Sequence, residues 1–169
     1  MWLKILDIFI KKGIGVKKII LIPTMLSIAV AFSPVAAAYT CFFNFAKDSC
    51  WTDYDVTVDV TNASTSKKLF SLTVPKGQSW ARKKFSCDAA ESFNYSASFS
   101  PVFWQSDQGK HFLGKRTWTL PQTMTKGDTA WVITVCFPEQ FSEVPLPPTA
   151  NSKCVCDTQS IPPVIPPKK

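Results

Sequence analysis

Thr129-Ala-Trp-Val-Ile-Thr-Val-Cys-Phe-Pro138 is the stretch that decides the fold class of this chain. Its apolar side chains occupy both alternations of an extended strand, with Trp131 and Ile133 on one face and Val132 and Cys136 on the other. A half-solvated strand alternates apolar and polar residues, so this pattern predicts a strand that is central in its sheet and covered on both faces. The cysteine also predicts a covalent link to another strand.

Short extended segments with turn residues between them make up most of the chain before this strand. In the clearest one, Val56, Val58 and Val60 alternate with polar residues, which is the period of a half-buried strand. We count six such segments and a further short one near Cys41–Phe45, and no helical period. The spacing predicts an all-β fold, an antiparallel β-sandwich of the immunoglobulin-like type with six to seven strands.

The first 38 residues have the order of features of a secretory signal peptide. Lysines precede the apolar run Ile19–Phe32, and Ser33–Ala38 then supplies the small residues of a cleavage site after Ala38. The apolar run is shorter than the ~20 residues that a membrane helix needs. We therefore expect export to the periplasm or outside the cell. An uncleaved N-terminal anchor is the alternative, and membrane contact would then be through this segment only.

The cysteines support export, since all of them follow the proposed cleavage site. An even number in an exported domain predicts three disulfides, and zinc is disfavoured because there is no C-x-x-C pair and His111 is the single histidine. Cys154 and Cys156 would point the same way in an extended chain, so each is expected to pair elsewhere. The preferred set joins Cys87 to Cys136 across the core and Cys41 and Cys50 to Cys154 and Cys156. The alternative set joins Cys41 to Cys50 and the C-terminal pair to Cys87 and Cys136.

The composition changes after residue 143, where seven prolines fall within residues 144–169. Proline at this density favours extended polyproline II over sheet or helix. We therefore predict three parts: a signal peptide at 1–38, a β-sandwich domain at 39–143, and a proline-rich arm at 144–169. Cys154 and Cys156 are expected to anchor the arm to the domain.

Catalytic motifs are scarce in this sequence. His111 lies beside a loop, and no nucleophile or orienting acid accompanies it in a recognisable motif. With every cysteine paired, thiol chemistry is not expected either. The sequence therefore predicts a protein that is not an enzyme and that has no metal and no cofactor.

The candidate binding residues are one aromatic and two groups of basic residues. Phe103 and Trp104 fall on opposite faces, so one of them is exposed unless both pack in a core that is covered on two sides. Trp104 stands at the start of the polar loop Gln105–Lys110, which is where sandwich domains often contact partners. Residues 39–169 hold 14 basic and 11 acidic residues, a net charge of +3 that is too small to predict nucleic-acid binding. The tentative binding residues are Trp104, Lys110, His111, Arg82, Lys83 and Lys84.

Arg116 differs from the other basic residues, because its place in the alternation matches the apolar Phe112 and Trp118. We expect it to be partly buried, and either stacked on Trp118 or paired with an acid.

The sequence thus points to a non-enzymatic interaction or structural module of the cell envelope or secretome. Its expected partner is a protein or a surface glycan, and its oligomeric state is left open. One alternative is a secreted binder of a glycan, a lipid headgroup or another anionic ligand. The other is a small secreted hydrolase or effector whose site has no recognised motif.

Overall fold

Eight strands carry the fold in the computed structural model, which describes residues 38–126, 128–150 and 153–164. Two short 3-10 turns, Ser49–Trp51 and Gln105–Asp107, interrupt the connections. The proposed signal peptide lies outside the described residues except for Ala38. No helix in the described part of the chain is long and apolar enough to cross a membrane. The strands are β1 Tyr39–Lys47, β2 Asp55–Asn62, β3 Lys68–Val74, β4 Trp80–Cys87, β5 Ser92–Ser100, β6 Phe112–Leu113, β7 Trp118–Thr119 and β8 Ala130–Phe137.

The strands form two sheets, so the all-β prediction is confirmed. The first sheet has the order β4-β1-β8, and the second has the order β3-β2-β5 with both β6 and β7 paired to β5. The inward positions of both sheets supply the core, as the period-two pattern predicts. Aromatic and branched side chains dominate this core, among them Phe43, Phe45, Trp51, Val58, Phe93, Val135 and Phe137.

The pairing of β1 with β8 is parallel, so the expectation of a wholly antiparallel sandwich is wrong at this point. Cys41 lies opposite Trp131 and Phe43 lies opposite Ile133, in the same chain direction. A parallel pair needs a long connection between its strands. Here strands β2 to β7 all lie between β1 and β8, so the chain meets that requirement.

Strand β8 is an edge strand, and the prediction that it is central and covered on both faces is wrong. Its inward residues Ile133 and Val135 are buried, but Val132 on the outer face is 49% exposed. The central strand of this sheet is β1, which is buried on both faces over its second half. Asn44 and Lys47 are among its buried residues, and they break the apolar pattern, so the sequence indicated only a short segment near Cys41–Phe45.

Strand β4 is the other edge of the first sheet and carries the basic run of residues 82–84. Its register with β1 is continuous from Trp80 to Cys87, so the strand has no bulge. Its apolar residues nevertheless do not all lie on one face. Trp80 and Arg82 lie on one face of the strand, and Phe85 and Cys87 lie on the other. Charged side chains are a common protection of an edge strand.

Three disulfides are present, as predicted, and they are compatible with an oxidising, exported environment. The predicted bridge from Cys87 to Cys136 is wrong, because β1 lies between β4 and β8 and two strand spacings of about 4.8 Å exceed disulfide reach. Cys41 pairs with Cys87, so the expected bridge from Cys41 to the C-terminal pair is also wrong. The bridge from Cys50 to the C-terminal pair agrees with the preferred set, and the bridge from Cys136 to that pair agrees with the alternative set. The bridges are Cys41–Cys87, Cys50–Cys154 and Cys136–Cys156, with Cα–Cα distances of 5.9, 5.2 and 6.2 Å.

Candidate functional site

The loop that follows β5 presents the most exposed aromatic side chain of the described residues. Trp104 is 59% exposed, whereas its neighbour Phe103 is partly buried and packs on the core. Successive residues of an extended chain point to opposite sides, so burying Phe103 directs Trp104 outward. A large aromatic that remains in solvent on a loop is a feature of contact surfaces.

Stacked aromatic rings fix this loop to the second sheet. The ring centroid of Phe103 lies 5.0 Å from that of Phe99 on β5, and Phe99 lies 5.7 Å from Phe112 on β6. Trp51 and Tyr54 close on Phe103 from the side, at 6.0 and 5.8 Å. Each such pair adds about 0.5–1.5 kcal/mol to simple burial. These contacts anchor the base of the loop from which Trp104 projects.

A buried carboxylate shapes the far side of the same loop. Asp107 closes the 3-10 turn and is 6% exposed, and Lys110 donates to its Oδ1 atom at 3.1 Å. Its Oδ2 atom is buried and makes no hydrogen bond to any described residue. Lys110, predicted as a binding residue, thus has an internal partner that orders the loop next to Trp104.

His111 is exposed and lines a cavity of about 300 Å³ beside this loop. Glu143 in the cavity wall has a positive φ of 56°, which a residue with a side chain adopts rarely and at some cost in strain. The cavity is lined by Lys110, His111, Phe112, Leu113, Ser142 and Glu143.

The charge of His111 contributes to the pKa of one acid, Asp59 on β2. Burial acts to raise the pKa of Asp59, but hydrogen bonds from Lys68 and Ser71 and the charges of Lys68 and His111 outweigh it and lower the pKa. Lys68 lies 2.8 Å from this carboxylate. These contacts stabilise the ionised form of Asp59, and the Lys68 ammonium balances its charge.

Arg82, predicted as a binding residue, is held by contacts within the molecule. Its Nε atom donates to Asn44 Oδ1 at 2.7 Å, and Asn44 Nδ2 donates to Thr134 Oγ1 at 3.1 Å. A second guanidinium nitrogen donates to the backbone carbonyl of Pro162. This series of hydrogen bonds crosses all three strands of the first sheet and attaches the C-terminal segment to the sheet. Arg82 is therefore a structural residue in this arrangement.

Lys83 and Lys84 are exposed on β4, but they do not lie near Lys110 and His111. Strand β4 is an edge of the first sheet and packs beside β3, whereas the loop of Lys110 adjoins β6 at the opposite edge of the second sheet. The fold therefore separates the two predicted basic groups instead of joining them in one patch.

Arg116 stacks on Trp118, as the sequence predicts, with its guanidinium carbon 4.9 Å from the ring centroid. The expected partial burial of Arg116 is wrong, because its side chain lies over the exposed side of the ring. Tyr95 lies below this pair with a buried hydroxyl. Burial raises the pKa of Tyr95, and the proximity of Trp118 and Arg116 acts in the opposite direction.

Two further polar sites escape sequence reasoning. Lys47 is 2% exposed, and its Nζ atom donates to the carbonyls of Tyr54, Pro75 at 2.9 Å and Thr52 at 3.5 Å. The other site is a groove of about 600 Å³ between the outer face of the first sheet and residues 158–164. Neither a buried lysine nor a groove made by a distant segment leaves a periodic signal in the sequence.

A cluster of metal-ligating atom types occurs at the first 3-10 turn. Asp48, Cys50 and Cys154 place a carboxylate oxygen and two sulfurs within 4.8 Å of one another. Both sulfurs belong to the disulfide Cys50–Cys154 and have no thiolate to offer a metal. The Asp48 carboxylate instead accepts the Cys50 N–H at 2.9 Å and caps the turn.

Comparison of the chain with protein-family models, with curated proteins and with solved structures finds no match.

Proposed function

We propose that the protein is an exported, non-enzymatic interaction module whose contact surface is centred on Trp104. The observation that carries the proposal is the 59% exposure of this ring on a loop whose base is packed into the core. A fixed, exposed tryptophan gives a large apolar contact at small entropic cost, because its position is set before the partner arrives. The proposed partner is a protein of the compartment into which the chain is exported.

The proposed architecture is an immunoglobulin-like sandwich with a proline-rich arm at 144–169. The two sheets support the sandwich. The last strand, β8, lies at one edge of the first sheet and carries the disulfide Cys136–Cys156. The bridges to Cys154 and Cys156 support an arm that is tied to the domain. A signal peptide cleaved after Ala38 would deliver this domain to the oxidising compartment that its disulfides need.

The test is site-specific photo-crosslinking of the secreted full chain in the cells that produce it. A photoreactive residue at position 104 should give discrete adducts, whereas the same residue at position 146 should not. Leu146 is the matched control, since it is an apolar residue with 67% exposure outside the loop. A purified adduct partner should bind Trp104→Ala at least about tenfold more weakly than the wild type. Identical adducts from both positions would contradict the proposal.

A glycan or another anionic ligand is the alternative occupant of the same surface. Trp104 suits stacking on a sugar ring, while Lys110 is engaged with Asp107 and the run Arg82–Lys84 lies at another edge. In the crosslinking experiment this alternative predicts adducts to polysaccharide and none to protein.

A hydrolase is the second candidate, and the shared cavity of His111, Ser142 and Glu143 favours it. A base, a hydroxyl and an acid within one cavity are the parts of acyl transfer, and catalytic hydrogen bonds in a free enzyme are often formed only with substrate. Hydrolysis of an activated aryl ester that is lost in both Ser142→Ala and His111→Ala would support it over the interaction module.

A further inference from the structure

The outer face of the first sheet presents a guanidinium group between two aromatic rings. Arg82 lies opposite Asn44 in the register of β4 with β1, and both side chains lie on the face turned away from the core. The guanidinium carbon of Arg82 lies 6.0 Å from the ring centroid of Phe42 and 5.6 Å from that of Trp80. Both rings are partly exposed. Such a face offers hydrogen-bond donors and apolar area side by side.

The orientation of this guanidinium is set by the strand beside it. The Nε atom of Arg82 donates to Asn44 Oδ1 at 2.7 Å, and Asn44 is 3% exposed. This bond leaves the terminal nitrogens of Arg82 for contacts above the sheet. A guanidinium has five N–H donors, so Arg82 retains donors beyond those used within the molecule.

A proline-containing segment of the same chain lies on this face. Residues 158–164 form one wall of the groove of about 600 Å³, and four side chains of the sheet form its floor. Arg82 donates to the backbone carbonyl of Pro162 across this groove. The sheet therefore holds a proline backbone by a charge-assisted hydrogen bond. The floor of the groove consists of Asn44, Arg82, Val132 and Thr134.

The sequence of this segment favours the polyproline II conformation. Pro162 and Pro163 have a fixed φ, and Ile161 precedes a proline, which disfavours a helical backbone. A turn at residues 157–160 comes before this stretch, where Asp157 Oδ1 accepts two backbone N–H groups at 3.1 and 3.2 Å. A polyproline II chain makes no internal hydrogen bonds, so its carbonyls can accept from a protein surface.

The contact between this segment and the sheet is slight. Within the described chain, the bond from Arg82 is the one hydrogen bond that joins residues 157–164 to the sheet. Pro162 and Pro163 are exposed, and Val132 on the floor of the groove is 49% exposed. The groove also falls within the range of about 300–1,000 Å³ that is usual for ligand sites. The segment therefore covers this face without filling it.

We propose that the outer face of the first sheet binds a proline-rich peptide of a partner protein, which displaces Ile161–Val164 from it. The seated segment indicates the class of ligand, because a proline carbonyl already accepts from Arg82. A partner peptide accepts the same bond and packs its proline rings on Phe42 and Trp80, as proline-rich chains do in aromatic grooves. The loop of Trp104 follows β5 of the second sheet, so this proposal and the Trp104 proposal can fail independently.

The first test uses the full chain with a photoreactive residue at position 132, on the floor of the groove. Alone, this protein should form a crosslink to residues 158–164 of its own chain. A synthetic peptide with the sequence of residues 157–164 should replace this product by a peptide adduct as its concentration rises. The same photoreactive residue at position 104 should give no peptide adduct. An internal crosslink that persists at millimolar peptide, or equal adducts from both positions, would overturn the proposal.

The second test weakens the internal occupant and keeps the whole chain. In Pro162→Gly/Pro163→Gly the segment loses its fixed φ and competes less well for the face. Fluorescence anisotropy of the labelled peptide should show binding to this variant at least about tenfold tighter than to the wild type. A peptide with glycine in place of both prolines should bind neither protein. Equal affinity of the peptide for the variant and the wild type would contradict displacement.

The third test removes the donor from the same glycine variant. Arg82→Gln should weaken peptide binding at least about tenfold, because the proline carbonyl loses its charged partner. Lys83→Gln is the matched control, since it removes the same charge from the neighbouring residue on the opposite face of β4. Circular dichroism checks that both proteins fold, and Trp80→Leu takes the place of Arg82→Gln if the latter does not fold. Unchanged affinity in the folded protein would overturn the proposal.

Discussion

At the scale of single residues, the fold depends on polar side chains that are buried with partners from distant parts of the chain. Lys47 ends the central strand and supplies hydrogens to carbonyls at Thr52, Tyr54 and Pro75, in two separate connections. These bonds are part-buried, and a hydrogen bond to a charged group contributes about 1.5–3 kcal/mol, so one ammonium group stabilises both connections. Burial lowers the pKa of Lys47, while the charges of Asp55 and Asp53 act to raise it.

We expect Lys47→Met to lower the free energy of unfolding at pH 7 by about 1–3 kcal/mol, since methionine fills the space but leaves the carbonyls without a donor. Urea titration measures this loss. Lys76→Met is the matched control, because Lys76 is exposed and its contact with Asp53 at 3.6 Å is a surface ion pair. Equal stability of the two variants would contradict the role of Lys47.

The pH dependence of the same residue has a definite sign. In the folded protein the lowered pKa of Lys47 means that its proton leaves at lower pH than in the unfolded chain, where the pKa is 10.5. The unfolded state therefore binds more protons between the two values, and the contribution of Lys47 to stability rises with pH in that window. The stability difference between wild type and Lys47→Met, measured by urea titration, should grow as the pH approaches 10.5.

At the scale of elements, the C-terminal segment acts as a cover over the first sheet. Two bridges hold it, and Arg82 holds the carbonyl of Pro162 further along. Asn44 is buried beneath this region, bonded to Arg82 and Thr134. A polar residue in the centre of a sheet is tolerated here because every neighbouring strand supplies it with a partner.

Removing the bridge at β8 should loosen this cover. We expect the double variant Cys136→Ala/Cys156→Ala to lose about 3 kcal/mol of unfolding free energy, from the chain entropy of a loop with a sequence separation of 20. Proteolysis within residues 157–164 should become faster. The pair Cys50→Ala/Cys154→Ala is the comparison, and its separation of 104 predicts a larger loss of about 4–5 kcal/mol. Urea titration that ranks the two losses in the reverse order would contradict the loop model.

At the scale of the whole molecule, the two sheets cover each other at one side and leave an open edge at the other. Strands β3 and β4 are neighbours, and the rings of Phe70 and Phe85 pack across them at 5.0 Å. The edge of β8 belongs to the first sheet, whereas the loop of Trp104 follows β5 of the second sheet.

The proposed export concerns the whole chain, and the mass of the secreted product tests it. We expect a protein that begins at Tyr39 and gains about 6 Da on reduction, one hydrogen for each of its six cysteines. Mass spectrometry with and without reductant measures both. An Ala38→Lys variant, which replaces the small residue before the cut, should retain the N-terminal segment. A secreted wild type that retains it, or an unchanged mass on reduction, would contradict the expectation.

Sequence reasoning was accurate where a short stretch decides the outcome. The alternation of Val56, Val58 and Val60 predicted strand β2, and the even cysteine count predicted three bridges. Of the two partners that the sequence left open for Arg116, the structure shows the stack on Trp118. For the candidate site, the sequence indicated the loop of Trp104 but not whether Trp104 or Phe103 points outward.

What the sequence by itself determined is therefore the fold class, the strand periods, the number of disulfides and the loop that carries Trp104. Only the tertiary structure decided that β1 is central, that β8 is an edge, and that Cys41 pairs with Cys87. The apolar pattern of Ala130–Phe137 indicates how much of the strand is buried. It does not record whether a neighbouring strand, the C-terminal segment or a second molecule excludes that water, because burial depends on partners that are distant along the chain.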